Sequence, residues 1–83
     1  MNSIERAFEE LKSKGLPVFK YDHYDGHFQI DTERVDFSKL QEGYYLDYYD
    51  EFYYNQNIDR ILSKHGLYFE WENPAVASVH EEN

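Results

Sequence analysis

Ile4, Ala7, Phe8 and Leu11 recur at helical intervals, with Glu5, Glu9 and Lys12 between them. That 3.6-residue period predicts a helix over residues 3–14. Asn2 or Ser3 can cap its start, and Glu5 follows Asn2 at the spacing of a capping box. Gly15 closes the helix and Pro17 prevents its resumption. Further on, the period falls to two. Val18 to His23 reads as a strand and Tyr24-Asp25-Gly26 as a tight turn, since Asp-Gly supplies positive φ. His27 to Asp31 is the return strand, with Phe28 and Ile30 on one face, and the alternation of Val35 and Phe37 suggests a short third strand.

Residues 58–65 read as a second helix, capped by Asn57, buried through Ile58, Ile61 and Leu62, and closed by Gly66. Leu67 to Glu72 is then a strand with Leu67, Phe69 and Trp71 inward and Tyr68, Glu70 and Glu72 outward. Asn73-Pro74 is a turn, Ala75 to His80 one more short strand, and residues 81–83 should fray. Leu11-Lys-Ser-Lys-Gly15-Leu16 is echoed by Leu62-Ser-Lys-His-Gly66-Leu67, which suggests two helix–strand units on one sheet. The pattern gives an α+β fold: a small antiparallel sheet of three to five strands packed against two helices, in a single two-layer domain over residues 1–83.

One stretch fits neither period. Tyr44-Tyr45-Leu46-Asp47-Tyr48-Tyr49-Asp50-Glu51-Phe52-Tyr53-Tyr54 is aromatic and acidic throughout. As a helix it would align Tyr45, Tyr48, Tyr49 and Phe52 opposite Asp47, Asp50 and Glu51. Gly43 before it, and the modest helix propensity of Tyr, leave an irregular surface loop equally open.

Composition sharpens this picture. The chain has 83 residues and nine Tyr, too many to hide because each buried hydroxyl needs a partner. Its formal charge is −9, and residues 1–20 sum to +1, so residues 21–83 carry −10. No Lys or Arg occurs between Lys39 and Arg60 or after Lys64. Such a field repels nucleic acid, so direct binding to DNA or RNA is not expected. The absence of Cys excludes a disulfide framework, thiolate chemistry and Cys-based zinc sites. No apolar run approaches the roughly 18–20 residues of a membrane span, and the N-terminus lacks a signal-peptide core, so a cytoplasmic protein off the membrane is expected.

Catalytic and metal-binding patterns are weak. No Ser lies in a Gly-x-Ser-x-Gly context and no Gly-rich loop is present to cradle phosphate. So small a chain also leaves little room for a deep pocket, and neither an enzyme nor a cofactor is expected. His23 and His27 flank the Asp25-Gly26 turn and are the only metal-ligand candidates, but they need further ligands such as Asp22 or Asp25.

The aromatic, acidic stretch carries the strongest chemistry. Candidate partner-binding residues are Glu42, Tyr44, Tyr45, Asp47, Tyr48, Tyr49, Asp50, Glu51, Tyr53 and Tyr54, together with Glu70 and Glu72. Carboxylates two apart on a strand lie roughly 6.5 Å apart, and i, i+4 pairs on a helix about 5–6 Å at Cβ, of the order of neighbouring backbone phosphates. Tyr is rigid and amphipathic, a frequent hot spot, and its ring accepts Arg. Short, Cys-free, acidic and rich in Tyr, Asp and Glu from Glu42 to Asp59 and in its C-terminal third, the chain resembles small phage-encoded DNA-mimic inhibitors of the anti-CRISPR and anti-restriction type. The resemblance implies a non-catalytic inhibitor that blocks a DNA- or RNA-binding site on a bacterial defence complex, such as a CRISPR-Cas effector, in the host cytoplasm. The alternative is a structural or homodimeric protein-interaction module, the dimer being built through the aromatic stretch; monomer and homodimer both stay open.

Overall fold

A computed structural model describes residues 2–49 and 55–82. Helix α1 (Ser3–Ser13) starts where the Asn2 side chain accepts the Glu5 N–H at 2.9 Å, and Asn2 Nδ2 donates back to Glu5 Oε1 at 3.4 Å. The first bond satisfies one of the backbone donors that a helix start leaves unpaired, and the second ties the two side chains together. Ala7 and Leu11 are fully buried, and Ile4 and Phe8 pack against the core. At the far end Gly15 takes φ +86°, and a Cβ there would collide with the backbone carbonyl of Lys39. The later chain crosses this corner closely, tied by the Gln41 N–H to Lys14 O at 2.8 Å.

Four strands follow: β1 (Val18–Phe19), β2 (Phe28–Asp31), β3 (Leu67–Trp71) and β4 (Val76–Glu81), the last two preceded by helix α2 (Gln56–Lys64). They form one antiparallel sheet in the order β1-β2-β4-β3. Rows such as Ile30–Ala77–Trp71 and Phe28–Val79–Phe69 cross it. With Val18 and Leu67 they make the face covered by Ala7 and Leu11 of α1 and Ile58, Ile61 and Leu62 of α2. The α+β architecture of two helices on an antiparallel sheet is therefore present. The two helix–strand units also end alike: Gly15 N–H reaches Lys12 O and Gly66 N–H reaches Ser63 O, each at 3.0 Å.

Several boundaries differ from the sequence pattern. The strand expected over Val18–His23 stops at Phe19, and residues 20–27 form a long connection instead of a tight hairpin turn. Gln29 explains this. Its buried amide accepts the Tyr21 N–H at 2.8 Å and donates to Asp25 O at 3.0 Å, holding the connection against the sheet face away from the helices. Ser78 (3.3 Å from Gln29 Nε2) completes that polar layer, and Tyr21 donates its hydroxyl to the buried Asp31 carboxylate at 2.8 Å. Gly26 keeps its positive φ (+94°), but its role is to let the connection approach β4, where His27 N–H donates to Val79 O at 2.8 Å.

Val35 and Phe37 form no strand. Asp31 caps a 3₁₀ turn (Thr32–Arg34), and Asp36 accepts both the N–H and the hydroxyl of Ser38, which turns the chain and leaves Phe37 66 % exposed. Helix α2 is capped by Asn55, not Asn57. The last strand in the chain is an inner one: β4 lies between β2 and β3, and Val76 to Val79 are all buried, as a strand covered on both faces requires. Glu81, expected to fray, pairs with Leu67, and Glu82 N–H donates to Gly66 O at 2.9 Å. Among the described residues no helix is long and apolar enough to cross a membrane.

Candidate protein-docking surface

The segment from Val35 to Tyr49 is built by alternating anchors and exposed rings. Leu46 is buried in the core, and Leu40 and Tyr44 pack against it. Lys14 Nζ lies 5.5 Å from the centre of the Tyr44 ring, so this Tyr is a half-buried support and not a free surface group. Behind Tyr44, Tyr45 and Leu46 is an apolar hollow of about 10 Å³, far below the size of a small-molecule site. Whatever binds here binds on the outside.

The start of α2 fixes the same segment. Asn55 is nearly buried, and its Oδ1 accepts the Ile58 N–H at 3.0 Å while its Nδ2 donates to Tyr45 O at 2.6 Å and Gly43 O at 3.3 Å. Asn57 Nδ2 adds a bond to Gly43 O at 3.0 Å. One side chain thus caps a helix and holds the backbone of the aromatic segment. With Tyr44 and Leu46 turned inward, Tyr45 is left 52 % exposed.

The exposed rings form two clusters. Phe37 and Tyr45 lie 5.7 Å apart between centroids. Tyr48 meets Tyr49 edge to face at 5.3 Å and 88°, and meets Trp71 at 5.3 Å and 82°. Trp71 continues to Phe69 at 6.0 Å, so the second cluster runs from the segment onto the edge strand β3. Tyr48 is 43 % and Tyr49 74 % exposed. Asp47 Oδ1 accepts the Tyr49 N–H at 3.0 Å, the same turn that Asp36 makes with Ser38 N–H at 3.0 Å. Those two bonds from Ser38 also hold the Asp36 carboxyl below its usual range, the hydroxyl contributing most.

Of the residues singled out by sequence, Glu42, Tyr45, Tyr48 and Tyr49 are exposed and Tyr44 and Asp47 half-buried. Asp50, Glu51, Tyr53 and Tyr54 lie outside the described residues, as does Phe52. The described part of the stretch is a loop, so its rings are grouped by adjacency and not along a helical stripe. Glu70 is exposed, as expected, but stands apart from the rings. It pairs with Ser78 and alternates with Trp71, so it belongs to the face opposite the one on which Tyr48 rests. Glu72, exposed, follows in the turn after β3, its N–H on Val76 O. Phe37 and Trp71 join the surface unexpectedly. The sequence signal for Phe37 was its place between Asp36 and Ser38, a turn-forming pair.

The histidines take separate partners. His27 Nε2 lies 3.0 Å from Glu81 Oε1, while the exposed His23 packs its ring on Tyr24 at 4.2 Å. Among the described residues no group of three or more His, Asp or Glu is placed to hold a metal ion. Away from this surface, Glu10 joins the two helices, with Lys64 Nζ at 2.9 Å and His65 Nε2 at 3.1 Å. The hydrogen bond from Lys64, then that from His65, draws the Glu10 carboxyl below its ordinary range.

Comparisons with protein-family models, with curated proteins and with solved structures find no match for the chain.

Proposed function

We propose that this is a non-catalytic, acidic protein-binding inhibitor that occupies a nucleic-acid-binding site on another protein, a bacterial defence complex such as a CRISPR-Cas effector being the partner that the compositional resemblance suggests. The observation that carries the reading is the grouping of three exposed rings, Tyr45, Tyr48 and Tyr49, in a stretch that has no Lys or Arg from Leu40 to Asp59, with the exposed Phe37 ring packed beside Tyr45. A site that binds phosphates presents Lys and Arg, and an acidic aromatic surface is its electrostatic complement. Long-range attraction speeds the encounter, and the rings supply contact area once the surfaces meet. A homodimer through the same rings is disfavoured by charge, since a two-fold contact would set the Asp36, Glu42 and Asp47 of one copy against those of the other.

The test is target-DNA binding by purified CRISPR-Cas effector complexes, followed by mobility shift with and without the protein. The expected result is loss of DNA binding that weakens as salt rises, and its relief by the triple change Asp47→Lys, Asp50→Lys and Glu51→Lys. Inhibition that survives the triple change, or DNA binding left intact across the effectors, overturns the reading. Light scattering over a concentration series is expected to show a monomer.

A further inference from the structure

We infer that the two ring clusters are arginine receptors, each pairing an exposed aromatic ring with an oriented carboxylate one residue before it in the chain, so that the surface selects arginine-rich over lysine-rich partners. This rests on the reading of an acidic docking surface and names the group it grips.

The chain shows how its own rings take cations. Lys14 lies over Tyr44 at 5.5 Å, Lys20 over Phe8 at 5.4 Å, and the Arg34 guanidinium over Phe19 at 5.5 Å. The four most exposed large rings, Phe37, Tyr45, Tyr48 and Tyr49, have no such cover among the described residues. Tyr49 has only Tyr48 as a ring neighbour among the described residues, at 88°, and Phe37 only Tyr45, so each keeps an open face, whereas Tyr48 also meets Trp71 at 82°.

Each cluster also carries the same small device. Asp36 and Asp47 each turn the chain by accepting the N–H two residues on, at 3.0 Å, and the residue between is an exposed aromatic, Phe37 or Tyr48. The Oδ1 atoms are thereby occupied and the carboxylates oriented. Oδ2 of Asp36 has only the loose approach of Lys39 at 4.0 Å, and Oδ2 of Asp47 has no hydrogen-bond partner among the described residues. A guanidinium is planar, so it can lie on a ring face while its in-plane N–H groups reach a carboxylate. A lysine ammonium is compact and strongly hydrated, and gives up more water to make the same ring contact. The arrangement therefore discriminates between two cations of equal charge, which a purely electrostatic surface does not.

The test uses the full chain and two fluorescent probes, octa-arginine and octa-lysine, with affinities from anisotropy at low salt. Octa-arginine is expected to bind at least about fivefold tighter than octa-lysine, the scale of two exposed cation–π contacts. The double variant Phe37→Leu and Tyr48→Leu keeps apolar bulk and removes two rings, and is expected to lower octa-arginine affinity toward the octa-lysine level while lowering octa-lysine affinity much less. Tyr49→Leu, at a ring 74 % exposed, gives the same test at less risk to folding and should narrow the preference. Equal affinities in the wild type, or a preference that survives these changes, overturns the inference. If that happens while effector inhibition stays salt-sensitive, the docking surface stands and only the arginine receptors fall; if neither peptide binds and the effectors are unaffected, both fall.

Discussion

Replacing Asn55 with Ala removes one side chain that serves two structures. It deprives α2 of its cap on the Ile58 N–H and frees the carbonyl of Tyr45 from a 2.6 Å hydrogen bond. Loss of an Asn cap costs about 1 kcal/mol, and loss of one net hydrogen bond at a half-buried site about 1 kcal/mol more. Asn55→Ala should therefore destabilise the fold by about 2 kcal/mol, lowering Tm by roughly 8–16 °C in a domain of this size. Asn55→Ser separates the two effects. Serine keeps an acceptor for the cap but has no amide to reach Tyr45, so about half the loss, roughly 1 kcal/mol, should remain. Thermal unfolding followed by circular dichroism gives both values. Amide hydrogen exchange adds location, with faster exchange over the amides of Leu46 to Tyr49 in Asn55→Ser and protection of α2 retained. An Asn55→Ala loss below about 0.5 kcal/mol, or equal losses in the two variants, would refute the claim that this residue holds the aromatic segment in place.

Gly15→Ala should cost at least about 2 kcal/mol, because its φ of +86° and the crossing Lys39 backbone both exclude a side chain, whereas Gly66→Ala meets open space and only the left-handed cost of about 1 kcal/mol; equal urea midpoints would contradict this. Because the Glu10 carboxyl is drawn below its ordinary range in the fold, the stability it adds is present above about pH 4.3 and is lost as pH falls through the lowered value. Glu10→Gln should thus differ from wild type by less than about 1 kcal/mol near neutral pH, given its exposure, and converge with it in acid, as urea denaturation at stepped pH would show. The hydrogen bond to Asp31, with desolvation and the charge of that carboxylate, raises the Tyr21 phenol above ordinary Tyr. Its ionisation, followed by ultraviolet absorbance or NMR, should come late and return toward normal in Asp31→Asn, and through this group stability should fall as pH rises past about 10.

Local chemistry wrote the helices into the sequence more fully than the sheet. Asn2, Glu5 and Gly15 mark both ends of α1, and the alternation of Leu67, Phe69 and Trp71 marks the inward side of β3. The start of α2 is harder, since Asn55 and Asn57 are both good caps and both reach Gly43 O, and only the tertiary bond from Asn55 to Tyr45 O distinguishes them. The inner place of β4 depends on pairing with Phe28 to Asp31 far back in the chain, which no local pattern encodes. The early end of β1 has the same kind of cause, a buried Gln29 amide that binds the backbone of the connection in place of a longer ladder. At the surface, residue type identified Tyr45, Tyr48 and Tyr49, but the burial of Leu46, the pairing of Phe37 with Tyr45 and the separation of Glu70 from Tyr48 follow from the fold.

The central claim is that the surface around Phe37, Tyr45, Asp47, Tyr48 and Tyr49, and not the acidic character of the whole chain, takes a basic partner. Backbone amide chemical shifts recorded while octa-arginine is added at low and then high salt test it most directly. The account predicts shifts concentrated between Asp36 and Tyr49 and at Trp71, collapsing as salt is raised. Shifts of equal size at remote carboxylates such as Glu5, Glu9 and Glu70 would contradict it.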